Sequence, residues 1–367
     1  MKYAFKKFAY RISVPIFDVF GSIVSYPFKF FNQPMPPNPE NILVIRLDHI
    51  GDFVCTTPIF KDLKKRYPGA QITVLVNSIS KELADRDPNI DKVISFSPFW
   101  LARDKKSDHF KELMRIMKDI KNVGFDLGID PRGDALSILI MWLGGVKHRV
   151  GYGITGGGFL LNKEVRYDRK IHVVDRNLAL LRELDVPVED KSPQVYFNEK
   201  DEDEVERLLR TFGARNDNFV VLHPFAGAAS RGWAKNNFQN LIDKLKERGT
   251  TVFVIGTKND DCSYSNIVDM RGKFSLPQLA YFIKRIGHFI GLNSGPANIA
   301  AALGVPSIII SSGTNIVEDW IPPSVNTRFV YKDIACRPCE RKTCPKGSYE
   351  CMDGITVEEV LEKLKEI

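Results

Sequence analysis

Residues 41–58, NILVIRLDHIGDFVCTTP, constrain the fold of this chain more than any other stretch. The unbroken run Ile42-Leu43-Val44-Ile45 suits a strand buried on both faces. It stops at Arg46-Leu47-Asp48-His49-Ile50-Gly51-Asp52, after which Phe53, Val54, Ile59, Phe60 and Leu63 return at roughly helical spacing up to Tyr67-Pro68-Gly69. The pattern is that of a strand, a tight loop and a helix. In an open parallel α/β sheet such a loop lies at the carboxyl end of its strand, where ligands bind. Gly51 is expected to let the backbone turn where a side chain would clash. Asp52 falls beside the helix start, which favours an ionised carboxylate. Such a group can take a proton from a hydroxyl, or it can serve as a plain helix cap.

The same alternation continues along the chain. Residues 71–77 and 92–96 read as strands. Residues 99–123 hold a charged helix with Phe110, Leu113, Ile116, Met117 and Ile120 on one face. Residues 125–130 form a strand that ends in Asp130-Pro131-Arg132-Gly133, a second strand-end loop, and 135–143 are helical. The glycine-dense stretch 151–158, GYGITGGG, has no clear strand–helix pair framing it and reads as a flexible rim loop. A linker is expected near 186–197. A second α/β series follows, with strands at 219–222, 251–256, 289–292 and 307–310 and helices at 200–210, 238–247, 276–286, 299–303 and 357–367. Its first strand leads into His223-Pro224-Phe225-Ala226-Gly227-Ala228-Ala229-Ser230-Arg231-Gly232-Trp233. Small residues with exposed amides followed by a cation can hold phosphate. The strand at 251–256 opens onto Thr257. Asn293-Ser294-Gly295-Pro296-Ala297-Asn298 precedes a helix, with start signals that would aim free N–H groups at an anion.

The chain has 367 residues, 44% of them hydrophobic, enough for two domains with separate cores. Lys/Arg and Asp/Glu are mixed along most of it despite a net charge of +7, and no nucleic-acid-binding pattern is present. Residues 1–31 stand apart. They hold ten Phe/Tyr, one acidic residue (Asp18) and five cations: Lys2, Lys6, Lys7, Arg11 and Lys29. Pro15 and Asp18 interrupt the apolar part, so neither a spanning helix nor a secretory signal is expected. A basic, aromatic, amphipathic segment suits an anionic membrane surface, and equally a helix packed on the body of the protein. The domains expected are 1–37, a basic aromatic segment; 38–190, the first α/β domain; 191–355, the second, with a cysteine cluster; and 356–367, a terminal helix.

Three segments together resemble glycosyltransferase family 9, the heptosyltransferase type. They are RLDHIGDFVCTTPIFKDLKKRYPGA, HPFAGAASRGWAKNNFQNL and FSLPQLAYFIKRIGHFIGLNSGPANIAAALGVPSIII, in the family's order over roughly residues 40–360. The resemblance implies a GT-B fold: two Rossmann-like, doubly wound α/β domains facing a central cleft. It implies an inverting, metal-independent transfer from a nucleotide-sugar, often ADP-heptose, to lipopolysaccharide core or a related lipid-linked glycan. No further cofactor is required, and the setting implied is the cytoplasmic face of the bacterial inner membrane. Asp52, after Gly51, becomes the general base. Arg231 stands where many members have Lys, two places before Trp233, and offers a fork to the diphosphate. Thr257, Asn293, Ser294, Gly295, Pro296 and Asn298 complete the expected donor site. Where the family usually reads Asp-Ser-Gly-Pro-x-His, this chain has Asn293 and Asn298, which leaves the identity of the donor open. A same-fold transferase with another nucleotide-sugar, or a non-catalytic binding relative, are the alternatives.

Cys336, Cys339, Cys344 and Cys351 lie in CRPCERKTCPKGSYEC. Four thiolates so close can bind zinc, although the spacings only partly suit the two CxxC knuckles of a zinc ribbon. In a reducing cytoplasm disulfides are disfavoured, and free or redox-active thiols are the other reading. Arg337, Arg341, Lys342 and Lys346 nearby suit an acidic acceptor.

Overall fold

A computed structural model describes residues 8–29, 35–97, 109–212, 218–344 and 346–367. The sequence expectations for residues 1–7, 30–34 and 98–108 lie outside these. The chain divides into two compact units, Met1–Lys191 and Ser192–Ile367.

The first unit is built on a six-stranded parallel sheet. Its strands are β1 (Asn41–Arg46), β2 (Gln71–Val76), β3 (Lys92–Ser95), β4 (Leu127–Asp130), β5 (His148–Gly151) and β6 (Lys163–Glu164), in the order β3-β2-β1-β4-β5-β6. β1 is central, with β2 and β4 on its two sides, which explains why its apolar run is continuous rather than alternating. Leu43, Ile45, Leu75, Phe125, Ile138 and Met141 share one face of the core. The order reverses between β1 and β4, so their carboxyl ends flank a topological switch point, the place where open α/β sheets bind ligands.

The second unit repeats the plan. β7 (Phe219–His223), β8 (Thr251–Val254), β9 (Val268–Asp269), β10 (Phe289–Leu292), β11 (Ser307–Ile310) and β12 (Thr327–Val330) lie in the order β12-β11-β10-β7-β8-β9. Its switch point falls between β7 and β10. Several helices here carry reciprocal N-terminal caps that their sequences specify, Asn198 with Asp201 on Glu199–Thr211 among them. Ser275 caps Leu276–Ile286 with Gln278, and Thr356 caps Val357–Leu364 with Glu359. Trp233, Phe238, Leu241, Val254, Ile290, Ile308 and Val360 fill the core on one side.

Three expectations change. The stretch 151–158 is not a free rim loop. Asp18 of the N-terminal helix, Phe8–Lys29, accepts a hydrogen bond from the Gly157 N–H at 2.8 Å, and Phe17 meets Phe159 edge-on at 5.7 Å. A Cβ on Gly21 would lie 2.4 Å from the Phe159 ring, so glycine there is what lets the helix approach. Phe110, placed on the core face of the helix His109–Val123, is exposed. Full burial begins further along the helix, at Ile116 and Ile120. The helix assigned to 299–303 starts at Gly295, because Ser294 is its N-cap and Asn298 already lies inside it.

Candidate functional site

Each unit brings two strand-end loops together at its switch point. In the first unit the central element is Arg46, the last residue of β1 and almost fully buried. Burial alone would lower its pKa, but Asp48 and Asp52 outweigh that and the net shift is upward. Its Nη2 lies 3.3 Å from Asp52 Oδ1, and its Nε lies 3.4 Å from Asp48 Oδ2. Asp52 Oδ2 also accepts the His49 N–H at 3.3 Å, closing a capping box on the short helix Ile50–Val54. Gly51 therefore sits within the first helical turn and not at the bend where the sequence suggested it. The bend is made at His49, which has extended backbone angles.

The loop after β4 closes on this group. Arg132 Nη1 stands 2.8 Å from Asp48 Oδ1, and Arg132 Nε stands 3.3 Å from Asp134 Oδ2. Gly133 takes a φ of 76°, and a Cβ there would lie 2.6 Å from Tyr152 Cβ and its carbonyl. Asp130 is fully buried and accepts the backbone N–H groups of Arg132 and Asp134 at 3.0 and 3.1 Å. Burial, reinforced by Asp134, pushes its pKa up to about 8. Asp48 is raised as well, by burial against the opposing pull of Arg46.

The sign of the pH effect follows. The folded chain keeps the Asp130 proton up to about pH 8, whereas an ordinary Asp loses it near 3.8. The unfolded chain binds fewer protons across that window, so stability falls as pH rises through it, by up to about 1.4 kcal/mol per pH unit. Thermal unfolding followed from pH 5 to pH 8 is expected to show a falling midpoint in the native chain and a much flatter profile in Asp130→Asn. Equal slopes in the two proteins would contradict a retained proton on Asp130.

A further tie holds the Asp52 helix. Thr56 Oγ1 donates to the Asp52 carbonyl at 2.8 Å, and Asn177 Nδ2 donates to the Cys55 carbonyl at 2.8 Å, with Thr56 Oγ1 at 3.2 Å. Asn177 comes from the helix Val173–Arg182, so a residue more than a hundred positions away fixes where Asp52 points. Sequence reasoning named Asp52 but missed Arg46, Asp48 and Asn177. The available signal was a cation ending an otherwise apolar, doubly buried strand.

In the second unit the loops after β7 and β10 meet at His223 and Ser294, whose Nδ1 and Oγ lie 3.1 Å apart. Burial pushes the His223 pKa down to about 4, so the imidazole is neutral at physiological pH. Ser294 Oγ thus faces His223 and does not cap its own helix, Gly295–Ala302. The first-turn N–H groups of that helix have no side-chain cap, which suits an anion. Pro296 has no N–H to offer. Asn298 is buried, and its Nδ2 donates to the Ser294 carbonyl at 2.9 Å, so it fixes the shape of the turn. Asn293 Nδ2 reaches Asn315 Oδ1 at 3.5 Å, at the limit of a hydrogen bond.

Arg231 ends a 3₁₀ turn, Ala229–Arg231, and its side chain is exposed with no ion pair to any described residue. It is therefore open to a ligand. Trp233 is a core residue here: its Nε1–H donates to the Ile355 carbonyl at 3.0 Å, and its ring meets Phe238 edge-on at 4.9 Å. It anchors the loop. Thr257 is exposed, and its N–H is held by Asp260 Oδ2 at 2.6 Å. The four late cysteines line a separate small cavity beside Ser230. Among the described residues no group of three or more His, Cys, Asp or Glu forms a ready metal shell.

The model of glycosyltransferase family 9 (heptosyltransferase) matches residues 113–350. Lipopolysaccharide heptosyltransferase 3 of Escherichia coli K12 is 26% identical over 292 residues, covering 75% of this chain and 83% of that protein. The crystal structure of the glycosyltransferase family 9 protein of Veillonella parvula superposes with a TM-score of 0.75 at 20% identity, covering 91% of this chain and 99% of that one. The E. coli ADP-heptose lipopolysaccharide heptosyltransferase II structure gives a TM-score of 0.70 at 21% identity, with 89% and 98% covered. These solved structures share the two-domain GT-B fold.

Proposed function

We propose, from the premise that the chain belongs to glycosyltransferase family 9, that this glycosyltransferase moves heptose from ADP-heptose onto lipopolysaccharide core or a related lipid-linked glycan, with inversion and without a divalent cation in the reaction. The observation that carries this reading is Asp52, a partly exposed carboxylate held at a helix start by Arg46 and the His49 N–H.

Asp52 takes the proton of the acceptor hydroxyl as its oxygen attacks the anomeric carbon. The bond from that carbon to the diphosphate breaks, and ADP leaves. Arg231, the Ser294–Gly295 helix start and the 226–229 amides stabilise the departing charge, which is the task a metal ion performs in other transferases. Neutral His223 keeps Ser294 in place without adding a second cation. Asn293 and Asn298 keep the turn and leave phosphate neutralisation to backbone amides and Arg231.

The test is turnover with ADP-heptose and a heptose-deficient core acceptor. The expected product has the opposite anomeric configuration to the donor, formed at the same rate with or without added Mg²⁺ or Mn²⁺. A retained configuration, or no turnover without the metal, would contradict the mechanism.

The reading includes a membrane surface as partner, at the inner face of the bacterial inner membrane. The Phe8–Lys29 helix docks through Asp18 and Gly21, which leaves Ile16, Phe20 and Ile23 each about two-thirds exposed, at 64, 66 and 67%. Leu139, Trp142 and Leu143 on the helix Ala135–Leu143 add exposed apolar surface in the same unit. Among the described residues no helix is long and apolar enough to cross a membrane. An exposed apolar face on a segment with five cations and one acid suits an anionic bilayer. The full chain is expected to sediment with phosphatidylglycerol-containing vesicles and not with pure phosphatidylcholine. Phe20→Glu with Ile23→Glu is expected to weaken that by about tenfold or more. Unchanged sedimentation of the double variant would remove this surface from the reading.

A further inference from the structure

The four late cysteines have no part in the transfer just described, yet they are built into one place. Cys336, Cys339, Cys344 and Cys351 all line a single cavity of about 20 Å³, roughly the room for one water-sized sphere. All six cysteines are free thiols. The other two lie elsewhere: Cys55 is buried at the C-terminal end of the Asp52 helix, and Cys262 packs against the second core.

The chain around the cavity is held as a scaffold. Gly313, just past β11, accepts the Cys339 N–H at 2.9 Å, and Thr314 accepts the Glu340 N–H at 2.8 Å. The Gly347 N–H donates to the Cys344 carbonyl at 3.2 Å. Glu340 and Tyr349 both adopt left-handed backbone, at φ of 51° and 45°, which bends the segment back on itself twice. Four thiolates lining one cavity repel one another unless a cation sits among them.

We propose that Cys336, Cys339, Cys344 and Cys351 form a four-thiolate centre for one thiophilic divalent ion, zinc or ferrous iron. Tetrahedral sulfur sites select those ions, whereas Mg²⁺ and Ca²⁺ prefer oxygen. Among the described residues no finished shell of three or more ligands is present. The sulfurs close on the ion: four sulfur–metal bonds form, and up to four thiol protons are released to solvent. No redox change is involved. The centre is structural, and it reaches the transferase loop directly. The Ser230 hydroxyl donates to the Arg341 carbonyl at 2.7 Å, and the Ser230 N–H points to the Lys342 carbonyl at 3.4 Å. The metal therefore fixes the segment on which Ser230, and next to it Arg231, is carried. Only the significance of Arg231 rests on the donor reading above; the metal centre stands or falls without it.

The test uses the full chain, produced with zinc and iron in the medium and purified anaerobically under reducing conditions. Elemental analysis is expected to find about one zinc or iron per chain. Chelation is expected to make four further thiols reactive, and Co²⁺ added to the stripped protein should give the strong visible bands of tetrahedral thiolate cobalt. Cys344→Ser should lose the metal, while Cys262→Ser keeps it. If Cys344→Ser does not fold, the stripped native chain and its cobalt spectrum decide the matter alone. Less than about a tenth of an equivalent of metal, with the four thiols already reactive or paired as disulfides, would overturn the centre. Amide exchange at 229–232 should rise on chelation; unchanged exchange would overturn the link to Ser230.

Discussion

Asp52→Asn is expected to slow heptose transfer by about two to four orders of magnitude, the range lost with a general base, while ADP-heptose affinity stays within about twofold. The reason is local. Asparagine keeps the size of the side chain and an oxygen for the His49 N–H, so the capping box on Ile50–Val54 can persist. What it loses is the capacity to accept a proton from a hydroxyl, together with the ionic part of the contact to Arg46. A kcat fall with KM for donor unchanged separates this from misfolding. An equal fall produced by removing the Thr56–Asn177 tie, in Asn177→Ala, would be a positioning effect, and its residual activity should retain the native pH profile. Turnover of Asp52→Asn at the native rate would remove Asp52 from the chemistry.

The second large effect is expected at Arg231. Arg231→Ala should weaken ADP and ADP-heptose binding by about 10- to 100-fold, the loss of a charge-assisted contact worth about 1.5–3 kcal/mol. Arg231→Lys should recover part of it, because the charge returns without the planar fork. The side chain is exposed and pairs with no described residue, so its removal leaves no buried partner stranded and folding stability should move little. Unaltered donor affinity in Arg231→Ala would place the diphosphate elsewhere.

The parts of the fold that were legible in the sequence are those whose residues answer to local rules. The buried runs at β1, β2, β10 and β11, the helix Ala135–Leu143 and the helix Leu276–Ile286 with its Ser275 cap follow from burial pattern and capping alone. The short strands β5, β6, β9 and β12, of which all but β5 lie at sheet edges, did not announce themselves. β6 and β9 have two residues each, and β6 is Lys163-Glu164, so no apolar run marks them. The glycine cluster at 151–158 misled because its partner, Asp18, lies 139 residues away, and no local pattern records such a contact.

The site shows the same division. Asp52 and Ser294 stand at strand ends where topology puts ligands, and the sequence pointed to both. Arg46, Asp48 and Arg132 form their cluster across the switch point between β1 and β4, which becomes visible only once the strand order is known. The burial of Trp233 could not be foreseen either, since the carbonyl that satisfies its indole belongs to Ile355, 122 residues on.

The donor is the central assignment. Calorimetric titration of the purified chain with ADP-heptose, beside the UDP-, GDP- and CMP-sugars, tests it most directly. The predicted result is a micromolar dissociation constant for ADP-heptose, binding to ADP that is lost or weakened in Arg231→Ala, and no measurable heat with the other nucleotide-sugars. Binding to a UDP- or GDP-sugar in place of ADP-heptose, or to none of them, would contradict it.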